Sequence, residues 1–485
     1  MKKKIILVVL CLVLTISLFA GCTESYGASA ISTDYTDTTV TSNGGLAVTY
    51  GDYLYYINGY AGADVDNTFG DVLKGAIARV ELDANGDPIA ETNTIIVPKN
   101  VYNTVATSGL YIVGDYIYYS TPSIDKDSTG TAKTTAMWIM RTKVDGTDTE
   151  VIAKFDDYTA IYKVVDDYIV YYLSYELHII DLNDKNFTDT MIDEEISALY
   201  MTEYEDNSNE LVDAVFYTKA NEDTTISSNI VYSYRAGAAE PVMLIDADCF
   251  TSLDSADSDN TRGKYYTITL VESIYTTTGI QLIYTRLDSS SNAISSGTYS
   301  YEFSIANVSE ELSFNYAKEV RYSYLTSYTS FYFLSETQAL VLNSTDYAIL
   351  TKSTDGNWYT EQTVALISTG TAPEIVKIEV TDTNVCVYYI LSSVIYKIDV
   401  LSKEAADAEY TVDIRPAESV YSGGYSTTWL SYDLIDDTIY FFNDNVLSYT
   451  YYVDLSESVN RDTYTQQAYL LSVMADSDEV AMLTA

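Results

Sequence analysis

The 485-residue chain holds one histidine, four cysteines, and only 26 lysines and arginines against 70 aspartates and glutamates. Each shortage excludes some chemistry. A histidine general base would have to be His178, which alternates with Leu177 and Ile179 and reads as a surface or hydrogen-bonded strand residue. A zinc site of the usual composition lacks its ligands, because Cys249 and Cys386 stand apart without a local motif. The formal net charge of -44 repels phosphate backbones, so nucleic acid is not an expected partner. No Gly-x-Ser-x-Gly or Walker-type loop occurs. Helical periodicity is nearly absent, residues 464–471 being one short exception.

Two thiols in so long a body make no disulfide framework. Cys386, in Val385-Cys386-Val387-Tyr388, reads as a small buried hydrophobe in a strand. Cys11 lies in a leader: Met1-Lys2-Lys3-Lys4 is followed by an uncharged run over 5–20, the pattern of a signal peptide. At about 1.5 Å per residue that run reaches about 24 Å, short of the roughly 30 Å hydrocarbon core. Its end, Leu18-Phe19-Ala20-Gly21-Cys22, resembles the bacterial lipobox. The resemblance implies cleavage before Cys22, lipid on its thiol, and a lipid-anchored protein on the extracellular face of the cell membrane. Two acyl chains hold where one is marginal. The expected organisation is a signal peptide over 1–21, a flexible Ser/Thr/Asp/Gly-rich tether over 22–45, and a folded body over 46–485.

What the body has in abundance is tyrosine, 49 in all. Many fall in a recurring segment. Gly51-Asp52-Tyr53-Leu54-Tyr55-Tyr56 returns as Gly114-Asp115-Tyr116-Ile117-Tyr118-Tyr119 and as Asp166-Asp167-Tyr168-Ile169-Val170-Tyr171-Tyr172. Weaker copies lie at 212–217, 279–284, 328–333, 384–389 and 436–442. The spacing, roughly 45–67 residues, is that of propeller blades with insertions. In each copy a turn pair leads into β-branched and aromatic residues, which suits a blade's second strand. Alternating partner strands follow at 78–83, 139–144, 176–181, 230–234, 299–303 and 394–399. The first two run into Asn85-Gly86 and Asp145-Gly146, which are hairpin turn pairs.

Short antiparallel units bury both faces only by stacking on neighbours. The repeated Gly-Asp-Tyr-(Leu/Ile)-Tyr-Tyr with a following Val394-Ile395-Tyr396-Lys397-Ile398-Asp399 type of strand resembles the clostridial lipoproteins with a low-density-lipoprotein-receptor-like β-propeller domain of unknown function. The resemblance spans roughly residues 46–455 and is degenerate over 213–350. The expected fold is an all-β propeller of eight mainly four-stranded antiparallel blades. Seven blades, or two β-sandwiches, are the alternatives.

In the doublets one ring should face the core and the next the opposite sheet face, under a neighbouring blade. Rings at the loop-rich ends would offer contact area at little rotamer entropy. Tyr421, Tyr425 and Trp429, and a loop bearing Trp358 and Tyr359, are the candidate partner-binding aromatics. No cofactor is expected except calcium, for which Asp125 and Asp127 precede Gly130 in the spacing of half a Ca²⁺ loop. A looser candidate surrounds Asp64 and Asp66. The expected function is a non-catalytic cell-surface module for a protein or glycan. An extracellular glycan hydrolase with paired carboxylates and an envelope scaffold are the alternatives.

Overall fold

A computed structural model of the chain describes residues 44–59, 72–101, 109–122, 129, 136–156, 161–205, 211–222, 229–245, 266–276, 279–288, 297–305, 312–322, 328–335, 337–343, 346–352, 358–364, 373–391, 394–405, 408–422, 429–443, 449–455 and 469–474. These residues form eight antiparallel sheets, each a run of four strands hydrogen-bonded in chain order. The seventh carries a fifth strand, Glu418–Ser422, off its main path. The fold is therefore all-β, a series of four-stranded meanders of the multi-bladed β-propeller kind.

The chain divides into two compact units, one of residues 1–159, 448–450 and 471–485, the other of 160–447 and 451–470. The first unit contains the first two sheets. The second contains the other six, apart from Thr450.

Seven of the eight repeat copies form the second strand of a sheet: Tyr53–Ile57, Tyr116–Pro122, Tyr168–Leu173, Leu211–Ala220, Gly279–Asp288, Asn384–Leu391 and Thr438–Asn443. All six partner segments form third strands. The sixth copy differs. Tyr328–Phe333 is the first strand of its sheet, and the second is Gln338–Asn343. Aromatic content marked the wrong strand there, since Ala339, Leu340 and Val341 fill the buried position without a ring. Residues 464–471, read as a helical exception, include the strand Tyr469–Leu470.

The turn pairs explain their own sequence. Two-residue turns join Tyr50 to Tyr53, Val113 to Tyr116, Val165 to Tyr168 and Ile435 to Thr438. Their first residues, Gly51, Gly114, Asp166 and Asp436, all have φ between 48° and 60°. Glycine enters this left-handed region freely and aspartate more readily than most. The carbonyl of the second residue is used as well. Asp52, Asp115, Asp167 and Asp437 each accept the amide just past the third strand, from Leu82, Val144, Leu182 and Leu455, at 2.6–2.9 Å. At Asn85-Gly86 and Asp145-Gly146 only the glycine is left-handed, and Gly146 N–H donates to Lys143. These are turns followed by a glycine bulge rather than the tighter form with both residues left-handed.

The doublet rings go to opposite faces and are covered on both, apart from Tyr172, which is half-buried. Tyr55 and Tyr56 are fully buried, as are Tyr119 and Tyr389, and Tyr118, Tyr171, Tyr388 and Tyr440 are 3 % exposed. Burial of such a ring is worth roughly 2–3 kcal/mol, which is how short strands with few leucines build a core.

Candidate functional site

Cations are scarce, and register shows where several are placed. Tyr55 lies opposite Arg79, Tyr118 opposite Arg141, Tyr171 opposite His178 and Tyr388 opposite Lys397. In the first unit this row joins one sheet to the next. The Arg79 guanidinium sits 4.6 Å from the Tyr53 ring centre, a cation–π distance. Its Nη1 and the Tyr55 hydroxyl both donate to the Val144 carbonyl at 3.4 and 3.2 Å, while the Tyr50 hydroxyl donates to the Gly114 carbonyl. Arg141 lies 4.3 Å from the Tyr116 ring centre and donates twice to Glu150, at 2.8 and 2.6 Å. In the second unit Lys377 Nζ plays the part of Tyr50. It donates to the Asp436 carbonyl and to Asp437 Oδ1 at 2.8 and 3.0 Å, in the turn equivalent to Gly114-Asp115.

The seventh sheet gathers a thiol, a phenol, two lysines and a carboxylate. Cys386 is a free thiol, 1 % exposed, and donates to Glu379 Oε2 at 3.1 Å. The Tyr388 hydroxyl lies 3.4 Å from the same oxygen, Lys397 Nζ lies 3.6 Å from it, and Lys377 Nζ lies 3.6 Å from Oε1. Burial, reinforced by the Glu379 carboxylate, pushes the Cys386 thiol up to about 12. A nucleophile needs the thiolate, so this arrangement holds Cys386 in its unreactive form. Burial would raise the Glu379 carboxyl, but the thiol and the two lysines outweigh it and hold it below the usual range.

The third sheet contains His178 on the strand Glu176–Asp181, flanked by buried Leu177 and Ile179 as the alternation implied. Its Nδ1 is 3.0 Å from Asp189 and its Nε2 is 3.1 Å from Glu176. The ring stacks on Tyr171 at 4.7 Å, and the Tyr171 hydroxyl donates to the other Asp189 oxygen at 2.7 Å. Both imidazole nitrogens are thus engaged by carboxylates. At the end of the same hairpin, Leu173 pairs with Glu176 across the two-residue turn Ser174-Tyr175. Both turn residues are left-handed, at φ 55° and 71°. A bulky side chain in that region costs on the order of 1–2 kcal/mol. Tyr175 is nevertheless 67 % exposed, with no burial to offset that cost.

The turns around this sheet share the feature. Of seven left-handed residues other than glycine among the described residues, five are Asp166, Ser174, Tyr175, Phe187 and Glu195. The amide of Ile196 donates to the Tyr175 carbonyl at 2.9 Å, fastening the Glu195 turn to the hairpin end. Tyr175 was not singled out from sequence. Ser-Tyr lacks the Asn-Gly chemistry of such a turn, and the only signal was a two-residue gap between two clear strands.

Of the aromatics proposed from sequence, Trp358 and Tyr359 stand not in a loop but at the start of the strand Trp358–Val364. Three residues of the fourth strand, rather than a connection, pair with Lys352, Thr351 and Leu350. Tyr421 is in the strand Glu418–Ser422 and Trp429 opens Trp429–Ile435. Tyr425, Asp125, Asp127, Asp64, Asp66, Cys249 and Cys22 lie outside the described residues. Among the described residues no group of three or more His, Cys, Asp and Glu side chains could hold a metal ion.

No protein-family model and no curated protein matches the chain. Among solved structures it is similar to the Dos1 propeller, with 8 % identity and a TM-score of 0.42 over 87 % of this chain and 92 % of that one. A post-proline cleaving enzyme from Rickettsia typhi matches with 11 % identity and a TM-score of 0.40 over 77 % of this chain and 54 % of that one. The periplasmic gluconolactonase of Pseudomonas aeruginosa matches with 10 % identity and a TM-score of 0.38 over 87 % and 96 %. None of these likenesses assigns a role to a residue here.

Proposed function

We propose that this chain is a cell-surface lipoprotein, anchored through Cys22, whose propeller-type body binds a protein or glycan partner without transforming it. The observation that carries the reading is the contrast within one hairpin. His178, the sole imidazole, has both nitrogens committed to Glu176 and Asp189, whereas Tyr175 holds a strained backbone and offers its ring to solvent. Groups suited to proton transfer are tied to each other, and a group suited to contact is displayed. A glycan array and a pull-down with the purified chain test the reading. Specific retention of one partner class without turnover is the expected result. Hydrolysis of a bound glycan, or no retention in either assay, would sink it. For the anchor, Cys22→Ala is expected to move the protein from the membrane fraction to the medium with its melting temperature unchanged; membrane retention of the variant with acyl chains attached contradicts the assignment.

A further inference from the structure

The end of the third-sheet hairpin has a definite chemical character. Tyr175 is exposed, Tyr172 and Leu173 beside it are half-buried, and the bond from the Ile196 amide to the Tyr175 carbonyl brings exposed Glu194 and Glu195 to the same spot. The Tyr172 hydroxyl reaches the Ile196 carbonyl at 3.4 Å, a second tie between the two segments. Glu176 closes the hairpin turn, and its carboxylate faces His178. Neither 172–176 nor 194–198 contains a lysine or arginine, and Lys219, opposite Ile196 on the next strand, is paired with Asp193 at 2.6 Å.

An exposed tyrosine with two exposed glutamates on the turn fastened to its hairpin, in a chain of net charge -44, complements a guanidinium or ammonium group. The ring takes the cation over its face, and the carboxylates take its donors. Exposed acid alone would attract any cation. Tyr175 adds an aromatic side chain at the hairpin end, where its backbone takes a left-handed conformation at a cost that a glycine would avoid.

Resting on the binding-module reading above, we propose that this hairpin end is a docking surface for an arginine-bearing segment of a cationic protein. The probe is a fluorescent oligoarginine peptide titrated into the purified full chain at low and moderate salt. Tyr175→Gly is expected to weaken binding roughly three- to tenfold, the range of a cation–π contact, while raising the melting temperature by relieving the turn. Tyr175→Trp should retain binding. Glu194→Gln with Glu195→Gln should weaken it more than Asp382→Asn with Glu404→Gln, a pair of exposed acids on the seventh sheet. Equal losses for the two acidic pairs would show unspecific counterion binding and overturn the proposal, as would equal affinity of Tyr175→Gly and the parent or no binding at all. The wider reading stands or falls separately, on the array and the pull-down.

Discussion

A buried thiol beside two lysines invites the thought of a nucleophile, and the decision lies in which charge is nearest. Glu379 accepts the hydrogen bond of Cys386, so ionising the thiol would set two negative groups 3.1 Å apart in a buried place. With the thiol pushed up to about 12, almost none is thiolate at neutral pH. In a Cys249→Ser background, Cys386 is therefore expected to resist iodoacetamide at pH 8 until denaturant is added; rapid labelling of the folded chain would refute this. The same residue was legible in sequence as a small hydrophobe because valines flank it. Its carboxylate partner was not legible, since Glu379 comes from the neighbouring strand and meets Cys386 only through register.

At the scale of an element, the end of the third sheet is tied to the fourth by one carboxylate. Asp193 accepts from the Tyr217 hydroxyl and from Lys219 Nζ, both at 2.6 Å, and Tyr217 is fully buried and stacked on Tyr232 at 5.4 Å. Burial by itself would raise the Asp193 carboxyl, but the bonds from Lys219 and Tyr217 prevail and lower it. A carboxyl lowered on folding stabilises the native state above its unfolded value, and that contribution is lost as pH falls through the folded value. Asp193→Asn is expected to cost about 2 kcal/mol at neutral pH, with the difference from the parent shrinking in acid. Urea melts at pH 7 and at about pH 2–3 check this, and a gap of unchanged size at low pH would count against the pair. None of this was foreseen from sequence, where carboxylates were too abundant for any one to stand out.

At the scale of the whole molecule, the first unit is assembled from segments distant in sequence. Asn58, fully buried next to the first sheet, donates to the Leu73 and Val473 carbonyls at 2.9 Å and accepts the Val473 amide at 2.8 Å. Tyr56 and Asn93 donate to the Leu471 carbonyl at 2.8 and 2.6 Å. Thr450 donates to the Ile57 carbonyl and accepts the Gly59 amide. Asn58→Ala removes three bonds and is expected to cost about 3 kcal/mol, with faster amide exchange at Val473; protection equal to the parent would show that the segment is held by other means. The strand class, the repeat, seven of eight second strands and all six partner strands were determined by sequence, because period two, turn pairs and aromatic doublets are local properties. The sixth sheet escaped because its second strand is aliphatic. Tertiary structure alone decided which carboxylate meets which cation, that His178 is engaged on both sides, and that Tyr175 stands exposed in a strained turn. Those outcomes depend on register and on contacts across hundreds of residues, which no window of the sequence contains.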